Sequence, residues 1–364
     1  MLLYSDEIMT SSVIASVLKC NSTGSPPYEF TDYTQRAIVG TLYLIVSLTG
    51  LIGNSLVILA VILSKKLRTT TNAFVVNLSI ADLLTCLVIP WDAVALLGKD
   101  GLPVGEWICS VVAVVQFTTV GCSIFTLASI GLNRWLLITR PGASYRNIFK
   151  TKKIAVWLVL TWLVPLLVTI IPPLADVGAV GYNARYRFCG SVTSHPSYNT
   201  YNIIIGSVLY PTPFVVIICY VLIWRHVYRH SKRLRNPNPS VQFTSSSSCP
   251  QPQSQLPQTT VTSTARSQAS SFLRYQTDIT KNMFYIVCAF IVCLGPFAIC
   301  PSFEACDPAV PYTAAILFAN SCINPLIYAT KHRDFKTVFG CIVRCHWDSI
   351  PESSDFLKRL QRRS

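Results

Sequence analysis

The apolar residues of this chain fall in long blocks without lysine, arginine, aspartate or glutamate, and they do not alternate with polar residues. Six blocks are free of charge, and a seventh is broken by Asp82 alone. A helix needs about 20 residues to cross a hydrocarbon layer of roughly 30 Å, and every block is long enough. Inside lipid the backbone must satisfy its own hydrogen bonds, so the pattern predicts an all-α membrane protein with seven transmembrane helices and no strands in these blocks. The blocks run from Ala37 to Ser64, Thr69 to Trp91, Ile108 to Asn133, Ile154 to Ala175, Phe188 to Trp224, Asn282 to Phe303, and Ala309 or Val310 to Thr330.

The composition supports lipid as the main solvent. Of the 364 residues, 51% are hydrophobic and 13% are charged, whereas soluble domains carry about a quarter of their residues as charges. A mostly disordered chain and an ordinary cytosolic globule are therefore excluded. The alternative, buried helices in a large soluble core, would give shorter apolar segments of about 10 to 14 residues.

The basic residues predict how the helices are oriented. The chain has a formal net charge of +14. With the N-terminus outside the cell, the outer segments hold five of the 30 lysines and arginines, and the inner segments hold the other 25. Because basic residues accumulate on the cytoplasmic side, we expect an extracellular N-terminus, a cytoplasmic C-terminus and a multi-pass protein of the plasma membrane. The positive charge then faces the lipid membrane, and no nucleic-acid partner is needed to explain it.

Three regions follow from this topology. Residues 1–35 form the extracellular N-terminus, residues 36–345 the transmembrane domain, and residues 346–364 the cytoplasmic tail. The cytoplasmic loop at 236–271 is rich in Ser, Pro, Gln and Thr, which predicts disorder, and most of the tail has a similar composition. Asn21 begins a glycosylation sequon on the outer side, although such sequons also occur by chance.

Polar residues inside the spans need a physical explanation. Asp82 is the single acid deep within a predicted span, and a carboxylate there must find partners or a cation. Ser123, Asn320, Ser321 and Asn324 supply candidate oxygens from spans three and seven. The sequence leaves two interpretations open: an ion site, or a neutral hydrogen-bonded cluster that holds the helices together.

Signature residues occur in every span and in order. They are Gly53 and Asn54 in span one, Leu78 to Asp82 in span two, Asn133, Arg134 and Trp135 in span three, Trp162 in span four, Tyr220 in span five, Phe290 and Pro296 in span six, and Asn324, Pro325, Leu326, Ile327 and Tyr328 in span seven. From about residue 36 to 345 the chain resembles rhodopsin-like (class A) G-protein-coupled receptors. Within this family it is most similar to melatonin receptors and to moody-type invertebrate orphan receptors.

The resemblance implies roles in coupling and activation. Arg134, between Asn133 and Trp135, would meet the G protein, and Tyr220 and Tyr328 would stabilise the open cytoplasmic face. The other activation positions would be Phe290, Pro296, Asn324 and Pro325.

The resemblance also implies a bound ion and a disulfide. A sodium pocket would be formed by Asp82, Ser123, Asn320 and Asn324, and no other cofactor is expected. Cys109 and Cys189 would form an external disulfide. Most of the 14 cysteines lie in spans or in the cytosol and are expected to be free, while Cys300 and Cys306 could form a second, smaller bridge.

A short amphipathic cytoplasmic helix is expected after span seven, over Lys331 to Cys345. Apolar residues recur there at helical spacing among basic ones, which is typical of a helix lying on the inner leaflet. The apolar residues are Phe335, Val338, Phe339 and Ile342. Cys341 and Cys345 could be palmitoylated, or could remain unmodified thiols.

Two positions depart from the family at the cytoplasmic end. Asn133 stands where the family has an acid before the arginine, and Gln276 offers no carboxylate at the start of span six. Arg134 therefore lacks both usual charged restraints. We expect a resting state that is held less firmly and some ligand-independent signalling.

The sequence lacks residues that particular classes of ligand would require, which narrows the possible ligands. The candidate pocket residues are Gln116, Leu294 and Phe318. Gln116 stands where monoamine receptors have an aspartate, so a biogenic amine would lack a counter-ion there. Leu294 stands where most members of the family have a tryptophan that acts as a switch. Span seven has no lysine for a retinal Schiff base. Three cations of the second external loop could meet an anionic ligand or simply be solvated: Arg185, Arg187 and His195.

We therefore expect a receptor that binds an unidentified extracellular ligand and activates heterotrimeric G proteins, with receptor kinases and arrestin as further partners. A multi-span transporter or channel is the alternative. Transporters usually pair two halves and carry several ionisable residues near the midplane, whereas this pattern shows Asp82 alone. An enzyme is not expected, because no nucleophile with its base, metal-ligand cluster or phosphate loop stands out.

Overall fold

The computed structural model describes residues 28–99, 101–139, 143–235 and 284–362. Among these residues, seven helices are long and apolar enough to cross a membrane. We number them span one to span seven: Tyr33–Leu63, Thr70–Leu97, Glu106–Thr139, Thr151–Leu174, Tyr198–Arg229, Phe284–Ser302 and Glu304–Lys331. The predicted all-α bundle with seven spans is confirmed.

Shorter elements connect the spans. They are a 3₁₀ turn at Lys65–Leu67, a helix at Ala143–Ile148, strand β1 at Val180–Asn183, strand β2 at Phe188–Ser191, a helix at Arg333–Val343, a 3₁₀ turn at Trp347–Ser349 and a helix at Asp355–Gln361. Span five consists of two helical segments, Tyr198–Leu209 and Pro211–Arg235, and span seven starts as a 3₁₀ turn at Glu304–Ala309 before the helix Val310–Lys331. Span three packs against spans two, four and five, so it lies at the centre of the bundle.

Span one begins earlier than its charge-free block. The Asp32 carboxylate caps this end, because its Oδ1 accepts hydrogen bonds from the backbone N–H groups of Thr34 (2.8 Å) and Gln35 (3.3 Å). Arg36 is consequently inside the helix, where it is buried and donates to the carbonyl oxygen of Leu96 over 2.6 Å. A local cap thus extends the span beyond what charge alone predicts.

The charge-free block from Phe188 to Trp224 is not one helix, and that part of the prediction is wrong. Its first four residues form strand β2, which pairs antiparallel with β1 and places Tyr182 opposite Cys189. A hairpin outside the lipid pairs its own backbone, so the absence of charge does not require a helix there. The expected disulfide joins Cys189 to Cys109 and fixes the hairpin to span three. Cys300 and Cys306 are free thiols, so the second bridge is not formed.

Spans one and seven approach each other closely at Gly53. A Cβ atom at this position would lie 2.8 Å from the Cβ of Pro325, so a larger residue would push the helices apart. Next to this contact, the Asn54 side-chain amide donates to the carbonyl oxygen of Ser321 over 2.8 Å. Pro325 leaves backbone acceptors of span seven without their usual helical donor, and Asn54 satisfies one of the carbonyls nearby.

The helix Arg333–Val343 is amphipathic as predicted, but its apolar face is covered by protein and not only by lipid. Phe335 is completely buried and stacks on Tyr328 with ring centroids 5.3 Å apart. Val338, Phe339 and Ile342 are also buried. The helix therefore belongs to the core at the end of the bundle where span seven terminates.

The tail after Ser349 is ordered, which contradicts the prediction of disorder. Ser353 forms a β-bridge with Ser64, and the backbone N–H of Ser354 donates to the carbonyl oxygen of Leu63 over 2.8 Å. The buried Leu357 joins the main core. The tail folds although its composition is poor in apolar residues. The end of span one offers backbone hydrogen-bond partners, and the bundle offers an apolar surface on which the tail packs.

Candidate functional site

A buried polar cluster connects spans two, three and seven. Asp82 is 1% exposed, and its two oxygens accept hydrogen bonds from the Ser321 hydroxyl (3.0 Å) and the Asn324 side-chain amide (2.8 Å). Ser123 and Asn320 line the same site. The structure thus brings together all four residues predicted to hold an ion.

A small cavity of about 10 Å³ lies at this cluster, close to the least room that holds one water molecule. Phe290 and Phe318 close it on the apolar side. The Oδ1 atoms of Asn320 and Asn324 are buried without a hydrogen-bond partner. Carboxylate, hydroxyl and amide oxygens suit a hard cation, and two orphaned acceptors leave ligand capacity for one. No group of three His, Cys, Asp or Glu side chains suited to a metal occurs within the described ranges.

The C-terminal end of span three is built around Asn133. This residue is fully buried, accepts a hydrogen bond from the Thr71 hydroxyl over 3.0 Å, and donates to the Tyr145 hydroxyl over 3.1 Å. Its amide therefore joins span three to span two and to the helix Ala143–Ile148. The neighbouring Arg134 is also buried, at 4% exposure.

Two buried tyrosines lie in the same half of the bundle. The hydroxyls of Tyr220 and Tyr328 are both buried without a hydrogen-bond partner. Tyr220 packs on Phe284 of span six, with centroids 5.6 Å apart. An unpaired buried hydroxyl costs about 1–3 kcal/mol, and an arrangement that pairs these groups would recover this cost.

The remaining predicted activation residues are distributed over spans three, six and seven. Trp135 is half-buried against the main core, and Phe290 of span six is buried in that core and lines the small cavity beside Asp82. Pro296 is half-buried, and Pro325 is buried at its contact with Gly53.

A second buried acid was missed by the sequence analysis. Asp92 is fully buried near the C-terminal end of span two, because this span continues to Leu97. Its Oδ1 accepts a hydrogen bond from the backbone N–H of Cys189 over 2.9 Å, and its Oδ2 accepts one from the Gln116 side chain. The apolar run that follows Asp92 as far as Leu97 was the signal that could have placed it inside the helix.

The three candidate pocket residues are all buried. Gln116 is hydrogen-bonded to Asp92, Phe318 packs edge-on against Tyr43 with centroids 5.3 Å apart, and Leu294 belongs to the main core. Of the three, Phe318 lines the small cavity beside Asp82. Gln116, at the position in span three that lacks an acid, is therefore hydrogen-bonded to a carboxylate from span two.

The arginines of the hairpin between spans four and five are paired, which corrects the interpretation that they are simply solvated. Arg185 forms an ion pair with Asp307, and this hydrogen bond raises the pKa of its guanidinium. Arg187 lies 2.5 Å from a carboxylate oxygen of Glu29 and also donates to the carbonyl oxygen of Gly98. These contacts connect the hairpin to the N-terminal segment, to span two and to span seven.

Tyr186 and His195 complete the contacts of this loop. Tyr186 donates to Asp307 over 2.8 Å, and burial together with this bond raises the pKa of its phenol. His195 accepts from the backbone N–H of Ser197 over 3.1 Å. Backbone pairing of Phe30 with the carbonyl oxygen of Arg185 (3.0 Å) covers the outer end of the bundle.

Of the other predicted sites, the two candidate palmitoylation cysteines lie among the described residues. The Cys341 thiol lies 3.5 Å from the carbonyl oxygen of Ser349, and Cys345 is exposed. Asn21, Gln276 and the loop at 236–271 lie outside the described residues.

The chain is similar to several known proteins over most of its length. The family model described as "7 transmembrane receptor (rhodopsin family)" matches residues 53–328. The G-protein coupled receptor moody of Drosophila melanogaster is 25% identical over 90% of this chain and 54% of that protein. The melatonin receptor type 1A of Mus musculus is 28% identical over 80% of this chain and 76% of that protein.

The alpha-1D adrenergic receptor of Mus musculus is 30% identical over 84% of this chain and 57% of that protein. The chain thus spans about half the length of the first relatives that it matches. Squid rhodopsin superposes with a TM-score of 0.68 at 18% identity, covering 91% of both chains, and this likeness concerns the fold.

Proposed function

Because this chain belongs to the rhodopsin family of seven-transmembrane receptors, we propose that an extracellular ligand opens its cytoplasmic face to a heterotrimeric G protein. The observation that carries the proposal is the pair of buried, unpaired hydroxyls of Tyr220 and Tyr328 in the half of the bundle that holds Arg134. Groups held at such a free-energy disadvantage favour a second state in which they are paired. A ligand that binds this state more tightly shifts the population toward it.

The proposed orientation puts the hairpin outside the cell. Disulfides persist in oxidising compartments, and the disulfide lies at the end of the bundle where Phe30 pairs with Arg185. An extracellular N-terminus in the plasma membrane accounts for this and for the distribution of basic residues. The loop at 236–271 and the tail then face the cytosol, where receptor kinases and arrestin would act on them.

The proposed outer end of the ligand site is formed around Asp92. Its hydrogen bonds hold Gln116 and the backbone of Cys189, so span two, span three and the hairpin share one carboxylate. A ligand that displaces or strengthens either bond changes how the three elements pack. This is a direct physical route from an external ligand to the helices.

A sodium ion is proposed at Asp82. Asp82, Ser123, Asn320 and Asn324 would hold it, and the orphaned oxygens of the two asparagines support this assignment. A bound cation supplies charge neutralisation for the buried carboxylate. The protein's own contribution is to hold Asp82 by hydrogen bonds from Ser321 and Asn324, which keeps spans two and seven together.

We propose that Asn133 restrains the resting state less firmly than an acid at this position would. The Asn133 amide is hydrogen-bonded to Thr71 and Tyr145 and brings no negative charge to the arginine. An aspartate at this position would keep both bonds, because both hydroxyls can donate, and it would add a counter-charge. Asn133→Asp is therefore a matched test of basal activity.

The experiment measures nucleotide exchange on purified G proteins of each class by the receptor in lipid nanodiscs without ligand. We expect Asn133→Asp to lower the basal rate about fivefold or more, the lower range of coupling between sites, and Arg134→Ala to abolish it. Arg344→Ala, an exposed site beyond the amphipathic helix, is the control. An unchanged basal rate in Asn133→Asp would refute the weak restraint. No exchange in any class, with or without candidate ligands, would favour the transporter alternative.

A further inference from the structure

A lipid-facing groove of about 250 Å³ separates spans three, four and five. Ala128 and Leu132 of span three form its floor, Trp157 and Val164 of span four form one wall, and Val215 of span five forms the other. The groove exceeds the roughly 150 Å³ apolar cavity that accommodates a benzene molecule. It is large enough for a segment of hydrocarbon chain.

The polar groups of the groove are already satisfied within the protein. The Ser129 hydroxyl donates to the carbonyl oxygen of Phe125 over 2.8 Å, and the Thr161 hydroxyl donates to that of Leu158 over 2.7 Å. Apart from the Trp157 indole N–H, these two hydroxyls are the polar side-chain groups of the lining residues, and the rest of the lining is apolar. The groove therefore suits an apolar chain.

The end of the groove near the start of span four carries positive charge. Trp157, Leu160 and Val164 share one helical face, and Lys153 lies on that face one turn before Trp157. Lys153 is exposed, as is Lys150 one turn earlier. No aspartate or glutamate occurs between Glu106 and Asp176 to neutralise this region from within spans three and four. Among the described residues, neither lysine forms an ion pair, so an anionic headgroup at this depth would meet available cations.

An aromatic chain connects the groove to Asn133. The ring of Trp157 meets Phe149 edge-on at 5.6 Å, and Phe149 lies 5.0 Å from Tyr145. The Tyr145 hydroxyl in turn accepts the hydrogen bond from Asn133, the neighbour of Arg134. The groove wall and the second cytoplasmic loop are thus one packed unit.

We propose that this groove binds one acyl chain of an anionic phospholipid of the cytoplasmic leaflet, with the headgroup at Lys153. The bound chain supports Trp157 and, through Phe149 and Tyr145, holds the second cytoplasmic loop against Asn133. The assignment to the cytoplasmic leaflet rests on the proposed orientation of the receptor. The membrane component is a structural ligand and is separate from the extracellular signal.

The test is photo-crosslinking in nanodiscs. The receptor is reconstituted with phosphatidylserine whose acyl chain carries a diazirine, and separately with the matching phosphatidylcholine, and labelled peptides are mapped after irradiation. We expect stronger labelling of the peptide that contains Trp157 and Leu160 with phosphatidylserine. Lys153→Gln should lower this preference about fivefold, as expected for one lysine at an anionic surface, whereas Lys152→Gln, on another helical face, should preserve it.

Groove-filling variants test the acyl site from two sides. Ala128→Trp and Leu160→Trp should remove the labelling, and Leu48→Trp on the exposed face of span one should retain it. Hydrogen exchange of residues 143–150 should be slower in phosphatidylserine than in phosphatidylcholine for wild type and equal for the filled variants. Equal labelling by both lipids, or labelling that persists in both filled variants, overturns the proposal. Neither readout uses a G protein, so failure here is distinguishable from failure of the proposed receptor activity.

Discussion

His332, between span seven and the amphipathic helix, is a buried titratable group with a calculable effect on stability. It is 4% exposed, its Nδ1 lacks a hydrogen-bond partner, and its ring packs edge-on against Phe335 at 5.1 Å. Burial lowers the pKa of this imidazole to about 4; the nearby Asp334 opposes the shift and Arg134 adds to it. The folded protein therefore keeps His332 neutral where the unfolded chain would protonate it.

The sign and size of the pH effect follow from linkage. The folded pKa is depressed below the unfolded value of 6.5, so the stability contribution is complete above about pH 6.5 and is lost as the pH falls toward 4. Between pH 8 and pH 5 the loss is about 2 kcal/mol for a group shifted from 6.5 to 4. The contacts of Phe335 with Tyr328 are expected to loosen first, because they adjoin the charge that forms.

Thermal unfolding of the purified receptor at pH 8, 7, 6 and 5 measures this effect. His332→Phe removes the titration and preserves an aromatic ring against Phe335, so its midpoint should fall less than that of wild type between pH 7 and 5. His346→Gln, an exposed histidine of the tail, should behave as wild type. If His332→Phe loses as much stability on acidification as wild type, the imidazole is not buried as a neutral group and the argument is wrong.

Three further perturbations test other contacts. Asp92→Ala removes the acceptor of the Cys189 amide and should destabilise the hairpin by about 1.5–3 kcal/mol, seen as faster hydrogen exchange, whereas Asp92→Asn keeps an acceptor and should change it little. Leu357→Ser should expose the tail to limited trypsin digestion, and unchanged cleavage would show that the tail is not docked. Because burial raises the pKa of the Tyr186 phenol, this tyrosine should titrate only above the pH range of ordinary tyrosines in the wild type. Tyr186→Phe should remove the hydrogen bond to Asp307. The change of phenol absorbance assigned to Tyr186 at high pH should then be absent.

The positions of the spans were predictable from the sequence because they depend on a local rule. A backbone surrounded by lipid must bond to itself, and each long charge-free block therefore becomes a helix wherever lipid is the solvent. The rule failed at Phe188, where the chain lies outside the lipid in a hairpin. Charge pattern alone does not show where the bilayer ends.

The cluster at Asp82 was predictable in part. Asn320 and Asn324 share a helical face, and the resemblance to a known family placed that face against Asp82, which the structure confirms for Asn324. The use of these residues as an ion site stays a prediction. The orphaned oxygen of Asn320 became visible only when its neighbours were known.

The tertiary structure alone decided which groups that are distant in the sequence come into contact. The partnership of Asp92 with Cys189 joins residues that no local pattern relates, and the docking of Leu357 depends on an apolar surface built by other helices. The sequence by itself determined which segments enter lipid, because that choice depends on the solvation of each segment. It did not determine which buried polar groups meet, because those pairs form only after the helices pack and exclude water.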